Sequence, residues 1–444
     1  MKTHYESTIE WVSAATPLRI GSSEEQDCEV FSISASKMTE LLSAGFVPDK
    51  AVLVTGVPSD SYDNDYLDEH LDLLSTAYTH FESQRVGLQP KDLRLLHPSD
   101  QHKTSPTAQI LMSTFADRVR TELSSQERFV TDMPLNLLNL SADVGSLPPR
   151  FAKHSRYNVL KVLDMAQRDS GAGKSTFSAV DVSTAQSFAL FASTLAYSRP
   201  HHDVLAGNWI RVLQGLKLWP IAVNLTSSEV DDYTEQGPDY VPPSHKIRWL
   251  LLHPDQYPVL LMPPGVRVIY ATLTLSPCLI EGGMVWDKLR LLETLDLVYW
   301  TCANPRTTNE GIPFQLSSTL NKLRKIVESR PQEYCPDYME VDDFFDQIKQ
   351  AISRIQSLGC QCSSNSGKRS CRPNIVFRLG LQLPMKLEER HRMVKILTIA
   401  AFDGALGVGQ DRGLGIENDV SEAHIDSGYL PSTRLTNTLF NAER

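Results

Sequence analysis

The feature that most constrains the fold is a series of short apolar runs between residues 184 and 286. These runs are rich in Val, Ile, Leu, Tyr and Trp, and Gly, Pro, Asn and His residues separate them. Short β-rich runs between turn residues are typical of antiparallel strands in a sandwich or a barrel. An acidic stretch at 227–245, which contains a Pro pair, interrupts the series and is expected to lie exposed.

The regions on either side follow other patterns. Residues 1–130 are expected to be mixed α/β, with a buried strand in KAVLVTG at 50–56. Residues 131–300 are expected to form a β-barrel domain, residues 301–410 a helical region and residues 411–444 a loosely ordered tail. Apolar residues at helical spacing predict helices at 65–81, 107–123, 287–300, 316–329, 341–358 and 386–402.

Composition excludes several classes of protein. The 444 residues include 41% apolar and 22% charged residues, as in a globular protein. The net charge of −10 argues against a general nucleic-acid binder, which needs a basic face. No apolar run is long enough for a transmembrane helix, and the N-terminal residues lack the core of a signal peptide. With seven scattered cysteines, these features favour an intracellular protein of the nucleus or the cytoplasm.

The segment GAGKST at 171–176 resembles the phosphate-binding loop of a nucleotide hydrolase. Such a loop requires a Gly five positions before Gly173, where this sequence has Arg168. The loop must also follow a buried strand, whereas residues 158–170 have apolar side chains at helical spacing. The segment is therefore interpreted as a turn after a helix and not as a nucleotide-binding site.

Three cysteines lie close together at Cys360, Cys362 and Cys371. A structural zinc site normally has four ligands, often in pairs separated by two residues. Here one residue separates the first pair, and the nearest candidates for a fourth ligand are Cys335 and His391. The cluster is interpreted as a Ser- and Gly-rich loop with incidental thiols.

The best candidate for a functional site is the segment SRPHHDVLAGNW, which contains His201 and Asp203. In an extended strand, residues two apart point to the same face, so these two side chains can bind one cation. A His-x-Asp pair with a distant His forms the facial triad of non-haem Fe(II) oxygenases, which leaves three metal positions open. The sequence thus predicts His201 and Asp203 as metal ligands.

Further segments around this pair extend the pattern. Lys217 follows on a predicted strand, and a Met-Pro-Pro-Gly turn and a Gly pair come later. Together these segments resemble the JmjC branch of the Fe(II)/2-oxoglutarate oxygenases, especially the JmjC-like proteins common in fungi. The matching segments are PHHD at 200–203, GLKLW at 215–219, HPD at 253–255, MPPG at 262–265 and the Gly pair at 282–283.

The resemblance covers residues 130–300 well and the N-terminal part loosely. It implies an α+β fold with a double-stranded β-helix, the jelly-roll or cupin-like barrel of JmjC domains. His201 and Asp203 are then two Fe(II) ligands, and Lys217 binds the far carboxylate of 2-oxoglutarate as a flexible cation. Asn208 is either a minor polar contact to this cosubstrate or a turn residue. The implied reaction is hydroxylation or demethylation of a protein side chain, with no membrane partner.

The sequence departs from the family pattern at the third ligand. Counting from Gly265, the distal His of the family falls at Val268, and the neighbouring Arg267 has no lone pair for iron. Glu281 is the main candidate for a replacement, although it is equally suited to a buried ion pair with Arg267. Cys278 and His253 are weaker candidates.

Two interpretations of function remain open at this point. Either one of these substitutes completes the site and the chain is an Fe(II)/2-oxoglutarate-dependent dioxygenase, or the chain is a JmjC-fold pseudoenzyme without cofactors. In the second case it acts as a protein-binding or scaffold module.

Overall fold

The structure is a computed structural model, which describes residues 10–25, 27–57, 91–92, 135–141, 148–169, 182–254, 259–309, 312–313 and 316–358. This part of the chain is a mixed α+β protein, in which a curled sheet forms a half-barrel and helices pack outside it. The arrangement is compatible with a jelly-roll-like fold.

The strands are β1 (Thr16–Pro17), β2 (Ile20–Gly21), β3 (Val30–Ser34), β4 (Val52–Thr55), β5 (Lys91–Asp92), β6 (Leu135–Ser141), β7 (Phe188–Ala192), β8 (Tyr197–His201), β9 (Asn208–Ala222), β10 (Ile247–Leu252), β11 (Val259–Met262) and β12 (Ile269–Met284). The helices are α1 (Ala35–Ser43), α2 (Val159–Asp169), α3 (Val182–Ala185), α4 (Ser227–Gln236), α5 (Leu291–Ala303), α6 (Leu316–Ser329) and α7 (Val341–Ser357).

The two longest strands, β9 and β12, pair with each other in the centre of the sheet. Each of them has different outer partners along its two halves. The first half of β9 pairs with β11 and its second half with β10, while the first half of β12 pairs with β8 and its second half with β7. All these pairings are antiparallel, as the sequence predicted for the β-rich region.

An irregularity in the middle of the β9–β12 pair lets the sheet curl. The register shifts between Thr274 and Ile280, opposite Gly215 on β9. Gly215 has a φ angle of +82°, and a Cβ atom there would lie 2.0 Å from the Pro277 carbonyl oxygen. Only glycine combines this backbone angle with so close an approach, so the bulge depends on Gly215.

The apolar residues divide between the inside and the outside of the half-barrel. Inside, side chains from β9, β10, β11 and β12 form one cluster that includes Ile210, Trp219, Leu260 and Tyr270. Outside, α1 packs on β3, β4 and β11, and α2, α5, α6 and α7 form a separate helical cluster near the end of β12. The parallel strands β3 and β4 join the same sheet through β11.

A buried ion pair connects the N-terminal region to the end of β12. The Arg156 guanidinium donates to both oxygens of Asp287, at 3.1 and 2.5 Å, and to the carbonyls of Leu42 and Phe46 at the end of α1. The Asp287 side chain is only 1% exposed. Because four hydrogen bonds converge on one guanidinium, this pair fixes α1 against the sheet.

We predict that Asp287→Ala lowers the free energy of unfolding by about 3–5 kcal/mol, because it leaves a buried guanidinium without its counter-ion. The matched control is Asp296→Ala, which breaks an exposed ion pair with Arg354 and is expected to change stability by only about 0–1 kcal/mol. Urea denaturation followed by circular dichroism measures both variants. Equal losses in the two variants would contradict the structural role of the buried pair.

Most predicted elements in the described ranges are confirmed. The run at 50–56 contains β4, and the helices predicted at 287–300, 316–329 and 341–358 correspond to α5, α6 and α7. The helix predicted at 158–170 contains α2 (Val159–Asp169), so GAGKST follows a helix in the sequence, as the spacing indicated. The stretch at 227–245 is largely exposed, but it contains α4, which the composition did not reveal.

The exposure predicted for 227–245 is wrong for the side chains of Tyr233, Tyr240 and Pro242. Tyr233 and Tyr240 are buried, and they pack against Trp11, Ile247 and Ile269. A capping box between Thr226 and Glu229 starts α4, and this signal is readable in the sequence TSSE.

Several predictions lie outside the described residues. These are the helices at 65–81, 107–123 and 386–402, the tail at 411–444, the GAGKST segment itself and the cysteines at 360, 362 and 371. The domain boundaries at 130, 300 and 410 stay predictions. Within the described ranges, no helix has the length and the apolar character that crossing a bilayer requires.

Candidate functional site

His201 and Asp203 lie together at the end of β8. Both residues are buried, and His201 Nε2 is 3.9 Å from Asp203 Oδ1. The Nδ1 atom of His201 is 2.6 Å from the Arg199 carbonyl oxygen, so it carries the ring proton and donates it there. Nε2 therefore carries the lone pair and faces the side on which Asp203 lies. A His that binds a metal ion through Nε2 needs this tautomer.

The Asp203 carboxylate already accepts hydrogen bonds from two other side chains. The Tyr270 hydroxyl donates to it and lies 2.9 and 3.0 Å from its two oxygens. The side-chain amide of Asn208, at the start of β9, donates to the same carboxylate. Asn208 is therefore a strand residue that orients Asp203, and not a turn residue.

The Tyr270 ring fills the inside of the half-barrel next to these residues. Its centroid lies 4.3 Å from that of His201, and it stacks on Trp219 at 4.9 Å with an angle of 22° between the planes. Sequence reasoning missed Tyr270, although a signal was present. It lies two residues beyond Val268, and side chains two apart in a strand point to one face.

Val268 lies where the resemblance places the third ligand. It lines a small cavity together with His202, Asp203, Asn208, Met262 and Tyr270. The cavity has a volume of ≈ 10 Å³ for the centre of a water-sized sphere, which is room for about one water molecule. The side of the cavity that would need a third ligand is thus apolar.

Glu281 is not brought to this cavity. Its carboxylate is bound by the Arg211 guanidinium, its partner across the β9–β12 pair, and both residues are fully buried. The neighbouring Ile280 belongs to the inner cluster, so strand alternation directs Glu281 to the outer face. The predicted role of Glu281 as a ligand beside Asp203 therefore needs correction.

The alternative pairing of Glu281 with Arg267 is also corrected. Arg267 stacks on the Trp300 ring at 4.5 Å, at the surface, while Arg211 holds Glu281. Cys278 lies inside the half-barrel, where burial raises the pKa of its thiol to about 12, so the thiol stays protonated. In the described part of the chain, no three His, Cys, Asp or Glu side chains are grouped closely enough to hold a metal ion.

Lys217 is buried on β9, as a residue inside the half-barrel. Burial lowers the pKa of its ammonium group, and Cys278 partly opposes this effect. Its partner across the β9–β12 pair is Thr274, whose buried hydroxyl makes no hydrogen bond to the described residues. Trp219, two residues further along β9 on the same face, stacks on Tyr270, whose hydroxyl binds Asp203.

His202 is a buried member of the site that the sequence did not single out. Its Nδ1 lies 3.1 Å from the Val268 carbonyl oxygen, and its ring contacts the edge of Trp300 with centroids 5.9 Å apart. Burial lowers the pKa of His202 to about 4. The hydrogen bond to the Val268 carbonyl raises this pKa in part, and the positive charge of Arg267 lowers it further. The imidazole is therefore neutral at pH 7.

Fold and site together define a mixed α+β protein, whose half-barrel contains a buried His201–Asp203–Tyr270 group. No model of a known protein family matches the chain. A stretch of 130 residues is 37% identical to "KK-1 biosynthesis cluster protein D" from Curvularia clavata. This stretch is 29% of the present chain and 13% of that protein, so the chain spans only a small part of this curated relative.

We predict that His202 makes stability depend on pH between about 6.5 and 4. In this window the unfolded chain binds a proton at His202 that the folded chain does not accept, so folding is stabilised above pH 6.5 and loses stability as the pH falls. The loss from this residue amounts to about 3 kcal/mol by pH 4.

The measurement is urea denaturation of wild type and His202→Gln at several pH values. The variant is expected to lack this part of the pH dependence, whereas His245→Gln, at an exposed position, is expected to keep it. Parallel pH curves for wild type and His202→Gln would show that His202 is not held neutral by the fold.

Proposed function

We propose that the chain is a JmjC-like protein in which the half-barrel serves as a protein-binding or scaffold module without oxygenase activity. The observation that carries the proposal is that the apolar residue Val268 lines the cavity beside Asp203. The resemblance to JmjC proteins assigns the third iron ligand to this position. Glu281, the main candidate to replace that ligand, is engaged with Arg211 on the other face of the sheet.

The residues present do not fit an Fe(II) ion of the facial-triad type. Two neighbouring ligands of an octahedral ion, each about 2.1 Å from the metal, lie about 3.0 Å apart. The distance from His201 Nε2 to Asp203 Oδ1 is 3.9 Å, and the Tyr270 hydroxyl is bound to the carboxylate. His201 alone has the orientation of a metal ligand, because its Nδ1 proton is held by Arg199.

One feature of the site favours binding of 2-oxoglutarate, and another argues against it. Lys217 suits the far carboxylate of such a ligand, because it is a buried cation with no acidic partner among the described residues. However, the cavity beside Asp203 has room for about one water molecule, and the stacked rings of Tyr270 and Trp219 occupy the inner face of the half-barrel next to it. The interior is thus packed, and we expect partners to bind at the outer surface.

We infer the kind of partner from the curated relative in Curvularia clavata. Its printed name assigns that protein to a biosynthesis cluster, and the shared stretch is a minor part of its length. We therefore propose that this chain acts beside biosynthetic enzymes, with another protein as its partner. Function on a shared fold differs between relatives, so this part of the proposal follows from similarity alone.

The second candidate is an active Fe(II)/2-oxoglutarate-dependent dioxygenase that hydroxylates or demethylates a protein side chain. Two observations favour it, namely the tautomer of His201 and the burial of the Lys217 cation, which has no acidic partner among the described residues. Since the present residues do not complete a metal site, we derive no reaction step for it.

The two candidates differ in an anaerobic titration of the purified chain with Fe(II) and 2-oxoglutarate. We expect no metal-to-ligand charge-transfer absorption and, after oxygen is admitted, no succinate, in wild type as in the control His201→Ala. Succinate formation that requires Fe(II) and is lost in His201→Ala would refute the proposal.

A second variant separates a ligand from a structural role at Glu281. If Glu281 only pairs with Arg211, Glu281→Ala lowers the free energy of unfolding by about 3–5 kcal/mol and leaves Fe(II) affinity unchanged. Thermal or urea denaturation and the same titration measure the two effects. Tight Fe(II) binding that disappears in a folded Glu281→Ala variant would support the dioxygenase instead.

A further inference from the structure

We propose that the Tyr270 hydroxyl has taken the place of a metal ion beside Asp203, so that a third ligand at position 268 does not by itself restore metal binding. This inference rests on the proposed function, because it assumes that the wild-type chain does not bind iron. The inference concerns Tyr270, however, and its test compares the Co(II) affinities of variants, so it can fail while the proposed function holds.

Tyr270 makes the contact with Asp203 that a cation would otherwise make. Its hydroxyl lies 2.9 and 3.0 Å from the two carboxylate oxygens, and the Asn208 amide supplies a further donor. A buried carboxylate needs either a cation or hydrogen-bond donors, since burial without them is costly. The Tyr270 hydroxyl and the Asn208 amide supply these donors to the Asp203 carboxylate. Val268, which lines the same cavity, has no side-chain atom that can bind a metal ion.

The Tyr270 ring is held in position from two sides. His201 lies against the ring, with centroids 4.3 Å apart, and Trp219 stacks on it at 4.9 Å. Movement of the ring away from Asp203 would break both contacts and open a gap in the inner cluster. The hydroxyl therefore competes with an incoming ion from a fixed position.

An ion shared by His201 and Asp203 has to enter beside this hydroxyl. It must lie between Nε2 and Oδ1, which are 3.9 Å apart, and it must contact a carboxylate whose two oxygens both face the hydroxyl. The cavity at this place has room for about one water molecule. Tight metal binding thus requires two changes, namely a ligand at position 268 and removal of the Tyr270 hydroxyl, and either change alone is expected to give weak binding at most.

The test uses Co(II) as the probe with the full chain, followed by the absorption of its d–d transitions and by calorimetry. The variants are Val268→His and the double variant Val268→His/Tyr270→Phe. We expect the double variant to bind Co(II) at least about tenfold more tightly than Val268→His, because the Tyr270 hydroxyl then no longer competes with the ion for the Asp203 carboxylate. Adding His201→Ala to the double variant is expected to abolish this binding.

The matched control is Val268→His/Tyr240→Phe. Tyr240 is buried in another cluster, and its hydroxyl makes no hydrogen bond to the described residues. We expect this control to bind Co(II) no more tightly than Val268→His. A general loosening of the protein by loss of a buried tyrosine hydroxyl would raise the affinity in the control as well, and this result would overturn the inference.

Two other results would also overturn it. They are equal Co(II) affinities of Val268→His with and without Tyr270→Phe, and a folded double variant that binds no Co(II). By contrast, Co(II) binding by the wild type through His201 refutes the proposed function, while the ratio between the variants still decides the role of Tyr270.

If circular dichroism shows that the double variant does not fold, Tyr270→Phe alone carries the test. It removes one oxygen atom and is expected to bind Mn(II) at least about tenfold more tightly than wild type, in the millimolar range that water-proton relaxation measures. Equal Mn(II) affinities in the two folded proteins reject the inference.

Discussion

The site depends on one buried hydrogen-bonded group, the carboxylate of Asp203 with the hydroxyl of Tyr270 and the amide of Asn208. An acidic group in an apolar interior is stable only with donors or a cation around it, and here the chain itself supplies the donors. This arrangement connects three parts of the sheet, since Asp203 follows β8, Asn208 begins β9 and Tyr270 lies on β12. The rings of His201 and Trp219 then fix Tyr270, so the polar group and the apolar packing support each other.

The framework that brings these residues together is the long antiparallel pair of β9 and β12. Its central bulge at Gly215 separates two halves with different neighbours, and the curl that results gives the sheet an inner face. Strand alternation then decides the chemistry on each face. Tyr270 and Lys217 point inwards, whereas Glu281 and Arg211 form their ion pair on the outer face. Glu281 directly follows Ile280, whose side chain lies on the inner face, so the Glu281 carboxylate lies on the outer face and cannot act as a ligand inside the half-barrel.

Periodicity in the sequence was enough to find the local elements. The apolar runs indicated antiparallel strands, and the helical patterns located α6 and α7 almost to the residue and α5 with bounds three to four residues too early. The predicted approach of His201 and Asp203 follows from their i, i+2 spacing at the end of a strand. In contrast, α4 escaped detection because its sequence is polar except for Val230 and Tyr233, and Tyr270 was overlooked although Val268 is only two positions away.

The sequence by itself determined which residue types were available near the cavity, including the absence of a His at position 268. Only the tertiary structure decided how those residues are used, because partners for a buried charge come from strands far apart in the chain. It assigned Glu281 to Arg211 instead of Arg267 or a metal, and it placed the Tyr270 hydroxyl on Asp203. Charge pairing in an interior depends on register and on which face a side chain occupies, and neither can be read from spacing within one segment.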